Sequence, residues 1–74
     1  MKEEPLQSRL AVAIREQRTA LGVTQEGFAD AIRMHRAYYS KIERGERNVT
    51  LATLERVAKG LGVKPSQLLR SAGH

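Results

Sequence analysis

Glycines at 22, 45 and 62 each stand just beyond a run of apolar residues spaced three and four apart. They cut the chain into helices too short for anything but a close cluster. Leu6, Leu10, Ala13, Ile14, Gln17 and Leu21 form the stripe of an amphipathic helix over about residues 6–21, stopped by Gly22. Thr24 offers an N-cap hydroxyl to a second helix, 25–32, with Phe28, Ala29 and Ile32 on its apolar face. Gly27 weakens that helix by about 0.5–1 kcal/mol relative to alanine. A third helix runs from Arg36 to Arg44 and ends at Gly45. Thr50 caps a fourth carrying Leu51, Leu54, Val57, Ala58 and Leu61 up to Gly62, and Pro65 opens a short fifth with Leu68 and Leu69. No alternating strand pattern occurs. Connections of three to six residues predict a compact all-α, five-helix cluster with a frayed SAGH tail.

Seventy-four residues make a single domain with a marginal core, so a second subunit covering apolar surface is expected. Without cysteine there is neither a disulfide framework nor a thiolate zinc site, which suits a reducing cytoplasm. No apolar run reaches the ~18 residues of a membrane span, and MKEEPLQSRL lacks a signal-peptide core. A cytoplasmic protein with no membrane partner is the expectation.

Charge points to the partner. Thirteen Lys and Arg stand against eight Asp and Glu, a net charge of +5. Residues 33–47 alone hold Arg33, Arg36, Lys41, Arg44 and Arg47 against Glu43 and Glu46. A polyanion is therefore expected, with nucleic acid first and an anionic membrane second, although a solvated helix face accounts for the charge alone equally well. The overlapping stretch HRAYYSKIERGERN, residues 35–48, contains both tyrosines of the chain, whose one other aromatic is Phe28.

The second and third helices are short and joined through Arg33 and Met34, the spacing of a helix-turn-helix whose second helix enters a major groove. Projected at 3.6 residues per turn, Tyr39 and Ile42 fall inward, with Met34 just before them. Arg36, Ala37, Ser40 and Lys41 fall on the opposite side. Their chemistry suits base edges: Arg or Lys for guanine O6 and N7, Ser for several edges, the Ala methyl for thymine. A cation at Arg36, in a first turn that disfavours positive charge, adds to the expectation of a docked anion. Tyr38 points further outward than Tyr39 and suits a phosphate hydrogen bond.

TQEGFADAIRMHRAYYSKIERGERN followed by TLATLERVAKGLGV resembles the Cro/C1-type helix-turn-helix regulators, and looks closest to the controller proteins of restriction–modification systems. The resemblance spans roughly residues 8–69. It implies a lambda-repressor-like fold with its helix-turn-helix at about 25–44. It also implies that Gln25, beside Thr24, braces a phosphate and the recognition helix. By the same resemblance Arg36, Ala37 and Lys41 read bases, flanked by His35, Tyr38 and Ser40. Arg47 and Asn48 would grip the backbone, and Arg18 and Glu43 would pair between the first and third helices. Two positions depart from the family pattern. Arg33 stands where glycine with positive φ is usual, implying either strain of order 1 kcal/mol or a turn of a different shape, and a cation near the phosphates. Tyr39 fills a slot that usually holds Val or Ile and should be half-buried, its hydroxyl reaching a polar group.

Competing chemistries are weak. His35 has only His74 as a histidine partner, so no metal is expected, and His35 reads better as an N-cap or phosphate contact. Glu43 and Glu46 sit beside Arg44 and Arg47 and suit salt bridges. No nucleophile–base pair stands out, so the protein is expected not to be an enzyme, with no cofactor and no small-molecule ligand.

One such module covers only ~600–1,000 Å² of DNA, so a homodimer on a pseudo-palindromic operator is expected. Its interface would lie at the C-terminal end, about 61–70, through Leu61, Val63, Gln67 and Leu68. Such a regulator represses by blocking RNA polymerase or activates by touching it through Glu26 or Asp30. The rival reading is an antitoxin or interaction adaptor on the same fold.

Overall fold

A computed structural model describes residues 4–73. It contains α1 (Leu6–Ala20), α2 (Gln25–Ala31), α3 (Arg36–Glu43), α4 (Leu51–Leu61) and α5 (Pro65–Ser71), with no strand among the described residues. The first three helices each stop one residue short of the sequence expectation. The threonine caps form as expected: Thr24 Oγ1 accepts from the Gly27 amide at 3.0 Å, and Thr50 Oγ1 from the Thr53 amide at 3.1 Å.

Every helix contributes to one core. Ile14, Phe28, Ile42, Val57 and Leu68 are each 3% exposed or less. Each such side chain stabilises the fold by about 1.5–3 kcal/mol through burial. α1 packs on both α3 and α5, and α2 packs on α3. α3 is therefore held from two sides while a third remains open.

Two glycines permit close approaches. Gly45 has a φ of +73°, and a Cβ there would lie 3.3 Å from the Ser8 Cα, so the end of α3 presses on α1. Gln7 Nε2 reinforces the junction by donating to the Gly45 carbonyl at 3.1 Å. Gly60 faces α2, where a Cβ would come within 2.4 Å of Ile32 Cγ2.

Three expectations are corrected. Tyr39 is wholly buried rather than half-buried, because Glu43 accepts a hydrogen bond from its hydroxyl inside the core and the ring packs at a tilt with its centroid 5.3 Å from that of Phe28. The C-terminal stretch is no frayed tail as far as Gly73, since α5 runs to Ser71 and Ala72 is 4% exposed. His74 lies outside the described residues. Leu61 and Leu68, expected on a dimer face, are 6% and 1% exposed. The fold covers them itself, because α5 turns its apolar side onto α1 and α4.

Candidate nucleic-acid interface

The turn between α2 and α3 is anchored by its own apolar residues. Ile32 and Met34 are 9% and 8% exposed, and the Met34 amide donates to the Ala29 carbonyl at 2.8 Å. Arg33 adopts the left-handed conformation, φ +56°, with its side chain exposed. The positive φ foreseen at this position is present.

α3 divides cleanly. Tyr39, Ile42 and Glu43 are buried, Arg36 and Ala37 are exposed, and Ser40 and Lys41 are half-buried. The four residues projected toward a groove thus share the open side, which is the expected face.

The inward side is fixed by a buried carboxylate. Glu43 Oε2 lies 2.6 Å from Arg18 Nε, and Oε1 accepts from Arg18 Nη2 at 3.0 Å and from Gln25 Nε2 at 3.1 Å. The Tyr39 hydroxyl donates to Oε2, and Arg18 Nη1 donates to the Val23 carbonyl at 2.8 Å. One carboxylate therefore joins α1, α2 and α3. Burial alone would push the Glu43 carboxyl up, but the bonds from Arg18, Tyr39 and Gln25 overcome this and hold it below the usual carboxylate range. Burial and the same carboxylate push the Tyr39 phenol up, and the bond to Glu43 raises the Arg18 guanidinium. Gln25 braces α3 as the resemblance implied.

Arg36 is paired within the domain, contrary to the expectation of a docked anion. Its Nε and Nη2 donate to Asp30 at 3.1 and 2.6 Å, and Nη1 to Glu26 at 3.2 Å. A cation in the first turn of α3 is thus accommodated by two α2 carboxylates and needs no docked anion. The sequence held the signal in plain form, since residues 26 and 30 lie one turn apart on α2.

The remaining candidates fall around this face. Arg44 Nη1 donates to Ser40 Oγ at 2.8 Å while its Nε bonds Glu46 at 2.8 Å, so Ser40 is already engaged. Arg47 stacks over the Tyr38 ring at 5.8 Å, and Tyr38 is half-buried against the core. His35 occupies the N-cap of α3 but its side chain makes no cap bond, which corrects its role as a cap substitute. Thr24 is exposed at the start of α2, its hydroxyl capping the helix. Asn48 is exposed beyond the turn, beside Leu6 and Gln7.

The expected dimer residues do not form an exposed apolar face. With Leu61 and Leu68 internal, Val63 is half-buried against the core, and Gln67 uses Oε1 to cap the Lys64 amide at 2.7 Å. The conspicuous exposed hydrophobe is Leu51, 85% exposed at the start of α4. The sequence pattern groups it with Leu54, Val57, Ala58 and Leu61, which the core covers. Among the described residues no group of three His, Cys, Asp or Glu could hold a metal, and no helix is long and apolar enough to cross a membrane.

Comparison with known proteins agrees with this geometry. Residues 14–68 match the family model described as helix-turn-helix. Control protein C.MunI of a Mycoplasma species is 47% identical over 55 residues, covering 74% of this chain and 72% of that protein. The clp gene regulator ClgR from Corynebacterium glutamicum has a crystal structure that superposes with a TM-score of 0.92 at 33% identity. That match covers 97% of this chain and 92% of the ClgR chain. The restriction–modification controller protein C.Esp1396I, solved as a tetramer in complex with its natural 35 base-pair operator, matches with a TM-score of 0.82 at 34% identity. The match covers 97% of this chain and 100% of that one.

Proposed function

The chain belongs to the helix-turn-helix family, and on that premise we propose that it regulates transcription by seating α3 in the major groove of a pseudo-palindromic operator. It is a DNA-binding transcription regulator of the Cro/C1 type, with restriction–modification control proteins among its relatives. The observation that carries the docking mode is the division of α3: a side buried around Glu43, and an open side bearing Arg36, Ala37, Ser40 and Lys41. In this reading Arg36 and Lys41 bond guanine edges and Ala37 meets a thymine methyl. Thr24, Gln25, His35, Tyr38, Arg47 and Asn48 set the helix against phosphates.

The working unit is the whole chain as a single domain with its core at residues 8–69, active as a homodimer. Leu51 and the neighbouring depression formed with Leu54, Glu55 and Pro65 offer the surface for a second copy, in place of the buried Leu61 and Leu68. Burying Leu51 and its rim would add the apolar cover that so small a core lacks. Two copies would set their α3 helices about one helical turn, ~34 Å, apart. Asp30 gives both carboxylate oxygens to Arg36 and Glu26 gives Oε2, so a polymerase contact through either would compete with Arg36. The cytoplasm is where such a regulator would work.

Selection from random duplexes, with Arg36→Ala in parallel, tests the reading. A palindromic consensus for the unaltered protein, degraded at one position per half-site in the variant, is expected. Recovery of no enriched sequence by the unaltered protein would sink it. Co-purification with a second polypeptide in place of DNA would favour an antitoxin role.

A further inference from the structure

A depression of about 250 Å³ opens between the turn before α3 and the first turns of α4. Arg33, His35, Tyr38, Thr53 and Arg56 line it over a floor of Met34, and no carboxylate takes part. It lies on the α4 flank of α3, whereas Asp30 and Glu26 occupy the α2 flank. The recognition helix therefore has an acidic neighbour on one side and a basic one on the other.

The cations of this flank differ from the arginines that are paired with carboxylates. Arg18, Arg36 and Arg44 each hold a carboxylate within 3.2 Å. Arg33 and Arg56 have no ion-pair partner among the described residues. Arg47, which extends the same flank, rests on the Tyr38 ring. Arg33 also sits in a backbone conformation that suits glycine, with strain of order 1 kcal/mol. Its side chain is exposed, so no core contact offsets that strain.

We propose that this depression seats a backbone phosphate of the bound duplex, held by Arg33 and Arg56, with the Tyr38 and Thr53 hydroxyls as further donors. The proposal rests on α3 being the groove helix. With the Arg36–Lys41 edge in a groove, one strand must cross this flank beside the Tyr38–Arg47 stack. The occupant is a DNA phosphate rather than a free anion because the seat is open. Exposed cations hold a small ion weakly, whereas a phosphate delivered by an already docked duplex arrives at high effective concentration.

The test is the salt dependence of operator binding for the unaltered protein, Arg33→Gly, Arg56→Ala and the control Arg15→Ala, an exposed cation on α1. Arg33→Gly should melt higher than the unaltered protein, since it relieves the left-handed strain, yet bind DNA less well. Each seat variant should flatten the slope of log K against log salt by about 0.9 for every bound copy. The corresponding weakening is about fivefold per copy at 0.15 M salt. Arg15→Ala should change neither quantity. Nitrogen resonances of the Arg33 and Arg56 guanidinium groups should shift with duplex, and inorganic phosphate at the same phosphate concentration should move them little. Slopes for both seat variants equal to that of Arg15→Ala overturn the proposal while leaving the regulator reading intact, as does a duplex that moves neither resonance. Saturation by inorganic phosphate while the duplex leaves them unmoved marks a small-anion site and also overturns it. Failure of the unaltered protein to bind any duplex overturns both.

Discussion

Arg36 and Asp30 meet in a two-pronged ion pair, Nε to Oδ1 at 3.1 Å and Nη2 to Oδ2 at 2.6 Å, spanning the turn between α2 and α3. The bond from Arg36 holds the Asp30 carboxyl below the usual carboxylate range, so the pair stays charged at neutral pH. With Glu26 on Nη1, the donors proposed for guanine are occupied before DNA arrives. Binding is then an exchange of partners. In the proposed docking mode a guanine edge, which takes both prongs of the guanidinium, must displace the carboxylates.

Asp30→Asn tests that exchange. Removing the carboxylate charge frees a cation for any duplex, so non-specific binding should tighten several-fold while operator binding changes less. Paired titrations on operator and scrambled DNA measure the ratio. An unchanged ratio would mean that the ion pair has no part in discrimination.

Arg36→Ala and Arg47→Ala should separate reading from holding. The first should lower operator affinity roughly ten- to hundredfold with little effect on scrambled DNA. The second should weaken both alike and reduce the salt slope by about one unit. Uniform losses in both variants would remove the base-reading role from Arg36.

Acid should loosen the junction of α1, α2 and α3. The Glu43 carboxyl is depressed in the folded state, so its stabilising contribution is present above its unfolded value of about 4.3 and is lost as pH falls through the folded value. Glu43→Gln should cost roughly 3–5 kcal/mol at pH 7, because it leaves Arg18 facing a neutral amide in the interior. The gap to the unaltered protein should narrow as the wild-type carboxyl protonates. Denaturant melts between pH 7 and 3 check this, and a gap constant with pH would contradict it.

Gly60→Ala sets helix propensity against packing. In an open helix alanine would gain about 1 kcal/mol. Here its methyl would meet Ile32 at 2.4 Å and Phe28 at 3.0 Å, so crowding of about 1–3 kcal/mol should win and lower the melting temperature. A higher one would show that α4 can shift away from α2.

Leu68→Glu and Leu51→Glu should fail in different ways. Leu68 is enclosed, and a carboxylate there should unfold the domain. Leu51 is exposed, and the same change should leave a folded monomer with poor operator binding, as sedimentation and circular dichroism together would show. A folded Leu51→Glu dimer would move the interface elsewhere.

The helices were legible because their signals are local. Thr24 and Thr50 announce starts and Gly22, Gly45 and Gly62 announce ends, needing no knowledge of the rest of the chain. The open side of α3 was legible for the same reason, since it follows from period alone. What the sequence hid depends on how helices cross. Leu61 and Leu68 look like surplus apolar residues near a chain end, and only the folding of α5 back onto α1 and α4 makes them core. Leu51 fits the α4 stripe but sits one turn too early to be covered. Gly60 reads as a mild helix breaker, yet its role is to let Ile32 and Phe28 come close. Tyr39 is large for its slot, and the Glu43 carboxylate that accommodates its hydroxyl is one turn away on the same helix.

α3 is rooted along its inward face and open along its outward one. Tyr39, Ile42 and Glu43 are locked in the interior, whereas the side chains of Arg36, Ala37, Ser40 and Lys41 meet only surface neighbours or none. Randomising those four positions together should leave most library members folded, because the energy that holds the helix lies elsewhere. The domain is thus a socket with an exchangeable bit, and new operator preferences can be selected from it without repairing the fold each time.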